Sequence, residues 1–363
     1  MLDHADGFDW IPTAADDALL ADRYDLVDAN VTIDDSLANV DWENGLTATS
    51  SGQRLRKVVT TSATRITGFH FVATSLAAQT IFRFLDSGTV QGSLRLTADG
   101  RIAAYSGDAA TLLGQSDAGA IVINTVYWIE CKYLVSSDAD VGFIVVGIDD
   151  VAVVSVRAVT QIAGATINQV ELVADLNVIF DDWMNKNILG STHNDFGGEA
   201  YVELTQVSDE LEYGGYEGGS EAAFEWVNSA GNSLNNNIYV DEVPTSAPDD
   251  DTSYVHDSGS PGDIDTYRAS LAMLEGTLSI TIPLSAVSVL YRARLEAPGS
   301  ENFAPHEFQP STGNRVSGDA IADFIAVDSD SYAYYEAIHV TDADGAAWDV
   351  ENYETSEFGQ ESA

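Results

Sequence analysis

Alternation of apolar and polar residues with a period of two, broken by short turn sequences, is the feature that most restricts how this chain folds. Ser93–Thr97 alternates in this way, Asp99–Gly100 follows, and Arg101–Tyr105 resumes the alternation. Asp-Gly between two such runs favours a two-residue β-hairpin turn. A helix would repeat its apolar face every 3.6 residues instead, so the pattern predicts paired antiparallel strands.

The run Val126–Val135 predicts a longer strand with two different faces. One face carries the side chains of Tyr127, Ile129, Cys131, Tyr133 and Val135. The opposite face carries Trp128, Glu130 and Lys132. Because polar and charged residues dominate this second face, we expect it to be partly solvated.

Two further pairs of strands are predicted from β-branched residues around short connections. Gly142–Ile148 and Val151–Val156 flank Asp149–Asp150, which predicts a second hairpin. Val170–Val173 and Asn177–Asp181 are predicted to form another pair. A helix is predicted only around Ala14–Tyr24, since no segment sustains an apolar period of 3.6 residues.

The length of 363 residues favours two domains, since a domain typically has about 150 residues. The glycine-rich run Gly214–Ser220 is the predicted linker, which gives a first domain at 1–213 and a second at 214–363. Strands are also predicted in the second domain, at Asn237–Val243, Thr277–Pro283, Ser288–Leu295, Ile321–Val327 and Tyr332–Val340. Short strands separated by turn residues predict a second β-sandwich there.

The charge restricts the surroundings and the partners of the protein. Asp and Glu number 58 against 15 Lys and Arg, a formal charge of −43, and acids occur along the whole chain. Such a surface disfavours binding to nucleic-acid backbones and to anionic membranes. The charge far exceeds the magnitude of about 2–8 that keeps a small domain soluble, which favours a protein built for a hypersaline solution.

The N-terminus and the single cysteine exclude several further classes. Residues 1–8 have neither a basic region nor an apolar region of the kind found in cleavable signal peptides. The longest strongly apolar stretches, such as Phe143–Ile148, have the length of a strand rather than of a membrane span. Cys131 is the single cysteine, so we expect no disulfide within the chain and no multi-cysteine zinc site; on an apolar strand face it is predicted to be buried and inert.

Three segments taken in order resemble a known fold. Thr89–Gly100, then Tyr127–Lys132, then Gly142–Val151 form a strand, an Asp-Gly hairpin, a strand that reads YWIE, and a strand that ends in an acidic turn. This order is similar to the concanavalin A-like, laminin-G-type jelly roll over roughly residues 1–210. With the second sandwich, the expected fold is all-β: an N-terminal concanavalin A-like jelly-roll sandwich followed by a second, smaller β-sandwich domain.

A second set of motifs resembles structural proteins of tailed viruses. Asp6–Asp9, Pro248–Val255, Gly262–Asp265, Ala347–Asp349 and Glu357–Gly359 follow one another along nearly the full chain. In that family a lectin-like jelly roll precedes a second β domain on the surface of the particle. The resemblance implies a virion structural protein, on a capsid vertex turret or decoration or on the tail.

Catalytic motifs are weak. A retaining glycosidase on this fold needs two carboxylates about 5–5.5 Å apart on one strand face. Glu199 and Glu203 share a face at that kind of spacing, but the residues between them form an ordinary amphipathic strand. We therefore predict no catalytic residues and no enzymatic activity, and keep a polysaccharide hydrolase as the weakest alternative. The sequence also contains no Gly-x-Ser-x-Gly and no phosphate-binding glycine motif.

Two groups of residues remain as binding candidates. The segment around Gly345 begins like a calcium-binding loop, with Asp342, Asp344 and Asp349 as candidate ligands of calcium or another cation. The alternative interpretation is an Asp-Gly turn between strands. Five tyrosines lie in or beside predicted loops, where they would contact a glycan or a neighbouring subunit: Tyr201, Tyr213, Tyr216, Tyr239 and Tyr254. Subunit contact is the preferred interpretation of these five.

The main functional hypothesis is a structural protein on the surface of a tailed virus that infects a halophilic host. It would form a symmetric homo-oligomer, contact other capsid or tail proteins, lie on the virion and become extracellular after lysis of the host. The alternative is a lectin-like protein that recognises a glycan or glycoprotein of the host surface. Nucleic acid and membrane insertion are not expected for either role.

Overall fold

A computed structural model gives the fold of most of the first half of the chain and of parts of the second half. It describes residues 2–8, 16–34, 45–189, 195–197, 206–207, 227–231, 255–256, 264–267, 269–270, 286–293, 303–309, 312, 314–317, 333–349, 352–353 and 356–362. The chain divides into two compact units, Met1–Glu203 and Leu204–Ala363. The sequence placed the boundary at 213/214, and the predicted linker Gly214–Ser220 lies outside the described residues.

The first unit contains one helix and fifteen strands among its described residues. In chain order they are β1 (Leu2–Asp6), α1 (Asp16–Arg23), β2 (Leu26–Val27), β3 (Val31–Asp34), β4 (Gly45–Ala48), β5 (Gln53–Ser62), β6 (Thr64–Ala73), β7 (Gln79–Asp86), β8 (Thr89–Leu96), β9 (Ile102–Ser106), β10 (Thr111–Gln115), β11 (Val126–Leu134), β12 (Phe143–Ile148), β13 (Val151–Arg157), β14 (Ile167–Ala174) and β15 (Val178–Asn187). This composition confirms the all-β prediction, and α1 confirms the helix expected near the N-terminus.

These strands form two antiparallel sheets that face each other as a sandwich. The first sheet has the order β13-β12-β11-β6-β15-β4-β3, with β1 paired to β15, and the second has the order β10-β9-β8-β7-β14-β5-β2. Strands that are distant in the chain are neighbours in both sheets, as in a jelly roll. The predicted jelly-roll sandwich is confirmed.

Hairpin predictions from local sequence are correct where a turn is tight, and one predicted pair is wrong. Strands β12 and β13 pair around Asp149–Asp150, as do β8 and β9 around the Asp99–Gly100 turn. The segments Val170–Val173 and Asn177–Asp181 lie on β14 and β15, which belong to different sheets. The short connection between them therefore crosses the sandwich, because each strand finds its hydrogen-bond partners in another part of the chain.

Aromatic side chains fill the space between the two sheets. The rings of Phe69 and Phe82 stack with centroids 5.7 Å apart, and Phe180 meets Phe69 edge to face at 5.6 Å. All three side chains are fully buried. Trp183 lies in the same core, and its indole N–H donates to the Thr67 hydroxyl at 3.2 Å. Burial of each such ring contributes about 1.5–3 kcal/mol, so this layer holds the two sheets together.

The second unit is described as short antiparallel pairs. Its strands are β16 (Gln206–Val207), β17 (Val227–Asn228), β18 (Val255–His256), β19 (Ile264–Tyr267), β20 (Ala269–Ser270), β21 (Val287–Ala293), β22 (Phe303–Gln309), β23 (Asn314–Ser317), β24 (Ala333–His339) and β25 (Glu357–Ser362). One sheet has the order β19-β25-β22-β23, and β21 pairs with β24. Trp348, Tyr353 and Phe358 form an apolar cluster against which Val287 and Val289 pack.

Two of the strands predicted in the second half are found, at β21 and β24. The predicted strands Asn237–Val243, Thr277–Pro283 and Ile321–Val327 lie outside the described residues. In the part of the chain that the structure describes, no helix is long and apolar enough to cross a membrane.

Candidate functional site

The candidate site lies on the face of the first sheet that points away from the aromatic core, and the β12–β13 hairpin fixes one end of it. Asp149 and Asp150 have φ values of 45° and 62°, the left-handed geometry that a two-residue turn of this kind requires. The Asp149 carboxylate accepts a hydrogen bond from the backbone N–H of Trp128 at 2.8 Å. The backbone N–H of Asp149 donates to the Trp128 carbonyl at 2.9 Å. The hairpin predicted from the sequence therefore sets the position of Trp128.

The face of β11 that carries Trp128 is covered rather than solvated. Trp128 is 1% exposed and Glu130 is 3% exposed, so the expectation of a partly solvated face is wrong for these two residues. The reason is that strand β6 brings His70 opposite Trp128 and Gly68 opposite Glu130. A Cβ atom at Gly68 would lie 2.5 Å from Cζ2 of Trp128, so the indole ring lies flat against the backbone where glycine leaves room for it.

Two cations are paired with carboxylates on this face. Nζ of Lys186 lies 3.7 Å from Oε1 of Glu130, and the same oxygen accepts the backbone N–H of Gly197 at 3.0 Å. Burial lowers the pKa of the Lys186 ammonium, although the attraction of Glu130 opposes that shift. Lys132 donates to Oδ1 of Asp195 at 3.1 Å, and this hydrogen bond lowers the pKa of Asp195. These contacts anchor residues 195–197 over the strand.

A β-bulge places a second buried pair beside the indole ring. The register of β15 against β6 shifts between Asp181 and Met184, and Asp182 at the bulge has φ of 50°. Its Oδ2 atom lies 2.6 Å from Nδ1 of His70, whose ring meets Trp128 at a centroid distance of 4.9 Å. Bulges often redirect a side chain next to a functional site, and here the bulge directs a carboxylate to the histidine beneath the tryptophan.

A pocket opens where these elements meet. It is lined by Trp128, Glu130, Gly147, Asp150, Ala152 and Phe196, and its cavity volume is about 80 Å³. The indole N–H of Trp128 is buried and has no hydrogen-bond partner among the residues that the structure describes. Buried N–H groups in native proteins are nearly always paired, so this donor is available to a hydrogen-bond acceptor.

The chemistry of the pocket suits recognition through hydrogen bonds. Its lining includes two aromatic residues, Trp128 and Phe196, and two acidic ones, Glu130 and Asp150. Cys131 lies on the other side of the strand, fully buried in the core, and burial raises the pKa of its thiol so that it remains protonated. The structure confirms the expectation that this cysteine is buried.

The structure does not describe most of the residues that the sequence singled out. The tyrosines Tyr201, Tyr213, Tyr216, Tyr239 and Tyr254 fall outside the described residues, as do Glu199 and Glu203. Sequence reasoning placed Trp128 and Glu130 on one strand face but missed them as site residues. The signal that could have identified them was a tryptophan on an otherwise charged face, two residues from a glutamate.

The predicted calcium residues use their carboxylates as hydrogen-bond acceptors. Oδ1 of Asp342 accepts the backbone N–H groups of Asp344 at 3.1 Å and Ala346 at 2.7 Å. Oδ1 of Asp349 accepts the N–H of Asn352 at 2.8 Å. Within the described ranges no group of three or more His, Cys, Asp or Glu side chains is arranged to hold a metal ion. The calcium site therefore stays a prediction, and the described contacts are those of an Asx turn.

Comparisons with known proteins reveal no family. No protein-family model matches the sequence, and no curated protein matches it. Solved structures that it resembles include a sialidase (14% identity, TM-score 0.32, 44% of this chain and 16% of that chain). They also include an endo-β-1,4-glucuronan lyase from Trichoderma reesei (12%, TM-score 0.33, 45% and 91%). The galectin LEC-6 from Caenorhabditis elegans has 12% identity and a TM-score of 0.26, over 35% of this chain and 84% of that chain.

Proposed function

We propose that the first unit is a glycan-binding module that holds a neutral saccharide in the pocket at Trp128. The observation that carries the proposal is the buried indole N–H without a partner, in a pocket with carboxylates and an aromatic ring. A sugar hydroxyl accepts one hydrogen bond and donates another, so it satisfies an N–H donor and a carboxylate acceptor together. The apolar face of a pyranose packs on an aromatic ring such as Phe196.

Charge decides which saccharides fit. Glu130 and Asp150 line the pocket, and the whole chain carries a formal charge of −43. A uronate or a sialic acid would bring a further carboxylate toward these groups and would be repelled. Neutral sugars meet no such penalty, and their hydroxyl groups are the donors that carboxylates need.

Asp150→Asn tests this proposal without disturbing the fold, because asparagine tolerates the left-handed backbone of the turn. In isothermal titration calorimetry, a neutral oligosaccharide identified on a glycan array should bind the variant about fivefold to tenfold more weakly, the loss expected for one hydrogen bond to a charged group. Asp117→Asn, at an exposed position outside the pocket, is the matched control and should bind like the wild type. Failure of every neutral glycan to bind, or equal binding by both variants, would contradict the proposal.

The virion role is a second proposal, and the order of sequence motifs supports it. Asp6, Asp349 and Phe358, from the first, fourth and fifth of these motifs, lie among the described residues, whereas Pro248 and Gly262 do not. The division into two compact units agrees with a lectin-like domain followed by a second β domain. In this role the protein forms a homo-oligomer on a capsid or tail, and glycan binding recognises the host. Mass spectrometry of purified particles tests it, and absence of the protein from them would contradict it.

A further inference from the structure

A buried acid–base pair connects two strands of the second unit that belong to different sheets. Glu307 lies on β22, in the four-stranded sheet, and His339 lies on β24, which pairs with β21. Nδ1 of His339 is 2.9 Å from Oε2 of Glu307, and the two side chains are 8% and 1% exposed. The ring of His339 also meets Phe358 of the apolar cluster at 5.6 Å, so the pair lies at the border of that cluster.

The other polar atom of each side chain is left without a partner. Within the described part of the second unit, Oε1 of Glu307 and Nε2 of His339 are both buried and have no hydrogen-bond partner. When the proton of the imidazole is on Nδ1, where it donates to Glu307, Nε2 is an acceptor. Two buried acceptors then carry a desolvation penalty that only a donor from another molecule removes.

These two side chains line a pocket that is open to solvent. Pro305, Val316 and Ile338 contribute apolar surface to it, and its cavity volume is about 370 Å³. A mainly apolar wall with a few convergent polar groups is the usual composition of a site for a small molecule.

The charges around this pocket select a cation. Glu336 and Asp342 line it together with Glu307, and no lysine or arginine is among its described lining residues. The second unit as a whole has 30 acidic residues against 4 arginines and no lysine. An anion would be repelled, and a water molecule would satisfy the acceptors without balancing the buried carboxylate.

The number of side chains that could coordinate a metal ion favours an organic cation. Among the described residues no group of three metal-ligating side chains surrounds the pair, whereas a metal ion in a protein usually has at least three such ligands. An ammonium group instead provides several N–H donors, and a short alkyl chain attached to it would pack on Val316 and Ile338. We propose that this pocket binds a primary alkylammonium cation through Oε1 of Glu307 and Nε2 of His339.

Calorimetry on the full-length protein with n-butylammonium as the probe tests the proposal. We expect binding at a ratio of one to one. The uncharged n-butanol and the tetramethylammonium ion, which has no N–H group, should bind about tenfold more weakly or not at all. Equal binding of n-butanol would indicate an apolar pocket, and equal binding of tetramethylammonium would show that charge alone suffices. Either result would overturn the proposal, as would no binding of n-butylammonium.

Two variants assign the binding to the buried pair. Glu307→Gln should weaken n-butylammonium binding about tenfold or more, because it removes the buried charge. Asp349→Asn is the matched control and should change binding less than about twofold, because Asp349 is exposed and lies outside the pocket lining. If Glu307→Gln does not fold, the imidazole NMR signals of His339 in the wild type decide. They must shift when n-butylammonium saturates the protein, and unchanged signals would overturn the proposal.

Discussion

The body of the first unit and the whole second unit differ sharply in charge. Residues 51–187, which contain β5 to β15, have 13 acidic and 10 basic residues, close to neutrality. Residues 204–363 have 30 acidic residues and 4 basic ones. Acids occur along the whole chain, but the excess of acids that gives the net charge of −43 is concentrated outside the sandwich body. The net charge of the whole chain would predict the same salt dependence for both regions. The distribution of charge predicts that the stability of the second unit depends more strongly on salt.

The scarce cations of the first unit are used in buried or partly buried ion pairs. The Glu171 carboxylate, whose side chain is 1% exposed, pairs with two guanidinium groups. Its Oε2 lies 2.6 Å from Nη2 of Arg56, and its Oε1 lies 2.7 Å from Nη1 of Arg83. Arg65 is paired with Asp3 and is completely buried. In the second unit, the described carboxylate of Asp342 instead accepts backbone N–H groups and the side-chain amide of Asn352. The first unit therefore depends on internal charge pairing, while the second has a large excess of negative charge to be screened.

Removal of salt is the test with the largest expected effect on this comparison. Below roughly 0.5 M salt, screening of surface repulsion weakens, so the second unit should loosen first. Hydrogen exchange of β22 and β24 should accelerate on dialysis, while Cys131, which is buried in the first unit, should stay unreactive toward a thiol reagent. Reaction of Cys131 at the salt concentration where β22 loses protection would show that both units respond alike. Unchanged exchange in both units would contradict the prediction of a protein built for high salt.

Breaking a buried pair of the first unit should have the next largest effect. Arg65→Met leaves Asp3 buried without its cation and should reduce the free energy of unfolding of that unit by about 3–5 kcal/mol. Arg54→Met is the matched control, because Arg54 pairs with Asp28 at 2.8 Å but its side chain is 40% exposed, so its loss should cost about 0.2–1 kcal/mol. Urea titration followed by Cys131 labelling measures both. If the two variants lost the same stability, internal pairing would not be what distinguishes this unit.

A pH titration tests the interior of the first unit, and it has the smallest expected effect of the three tests. Burial raises the pKa of the Cys131 thiol above its usual 9.0, so the folded state keeps a proton that the unfolded state loses at higher pH. The stability from this group is therefore complete below pH 9.0 and falls as the pH rises above it. Between pH 9.5 and 11 the free energy of unfolding should therefore fall less steeply in Cys131→Ala than in the wild type, by about 1.4 kcal/mol per pH unit. An identical slope in both proteins would contradict the burial of an un-ionised thiol.

The parts of the site that could be predicted are those encoded by neighbouring residues. The Asp149–Asp150 turn and the two faces of the strand around Cys131 follow from local pattern, because side chains alternate along any strand. The environment of Glu130 does not, since its partners Lys186 and Gly197 come from more than fifty residues further along the chain. Sequence reasoning therefore assigned the right residues to one face but described that face as solvated. The tyrosines and aspartates that it selected were chosen by residue type, which gives no information on packing.

The jelly-roll sandwich was implied by the resemblance to a known fold. The sequence by itself determined an all-β chain, a buried cysteine and an acidic composition. Each of these depends on composition or on a short repeat, and the physical cause acts between residues that are close in the chain. Only the tertiary structure decided which sheet receives β14 and which receives β15, that a bulge brings Asp182 to His70, and that Glu307 meets His339. These contacts join residues that are far apart in sequence. They depend on strand register and on the order of strands in each sheet, which the local alternation of apolar and polar residues does not specify.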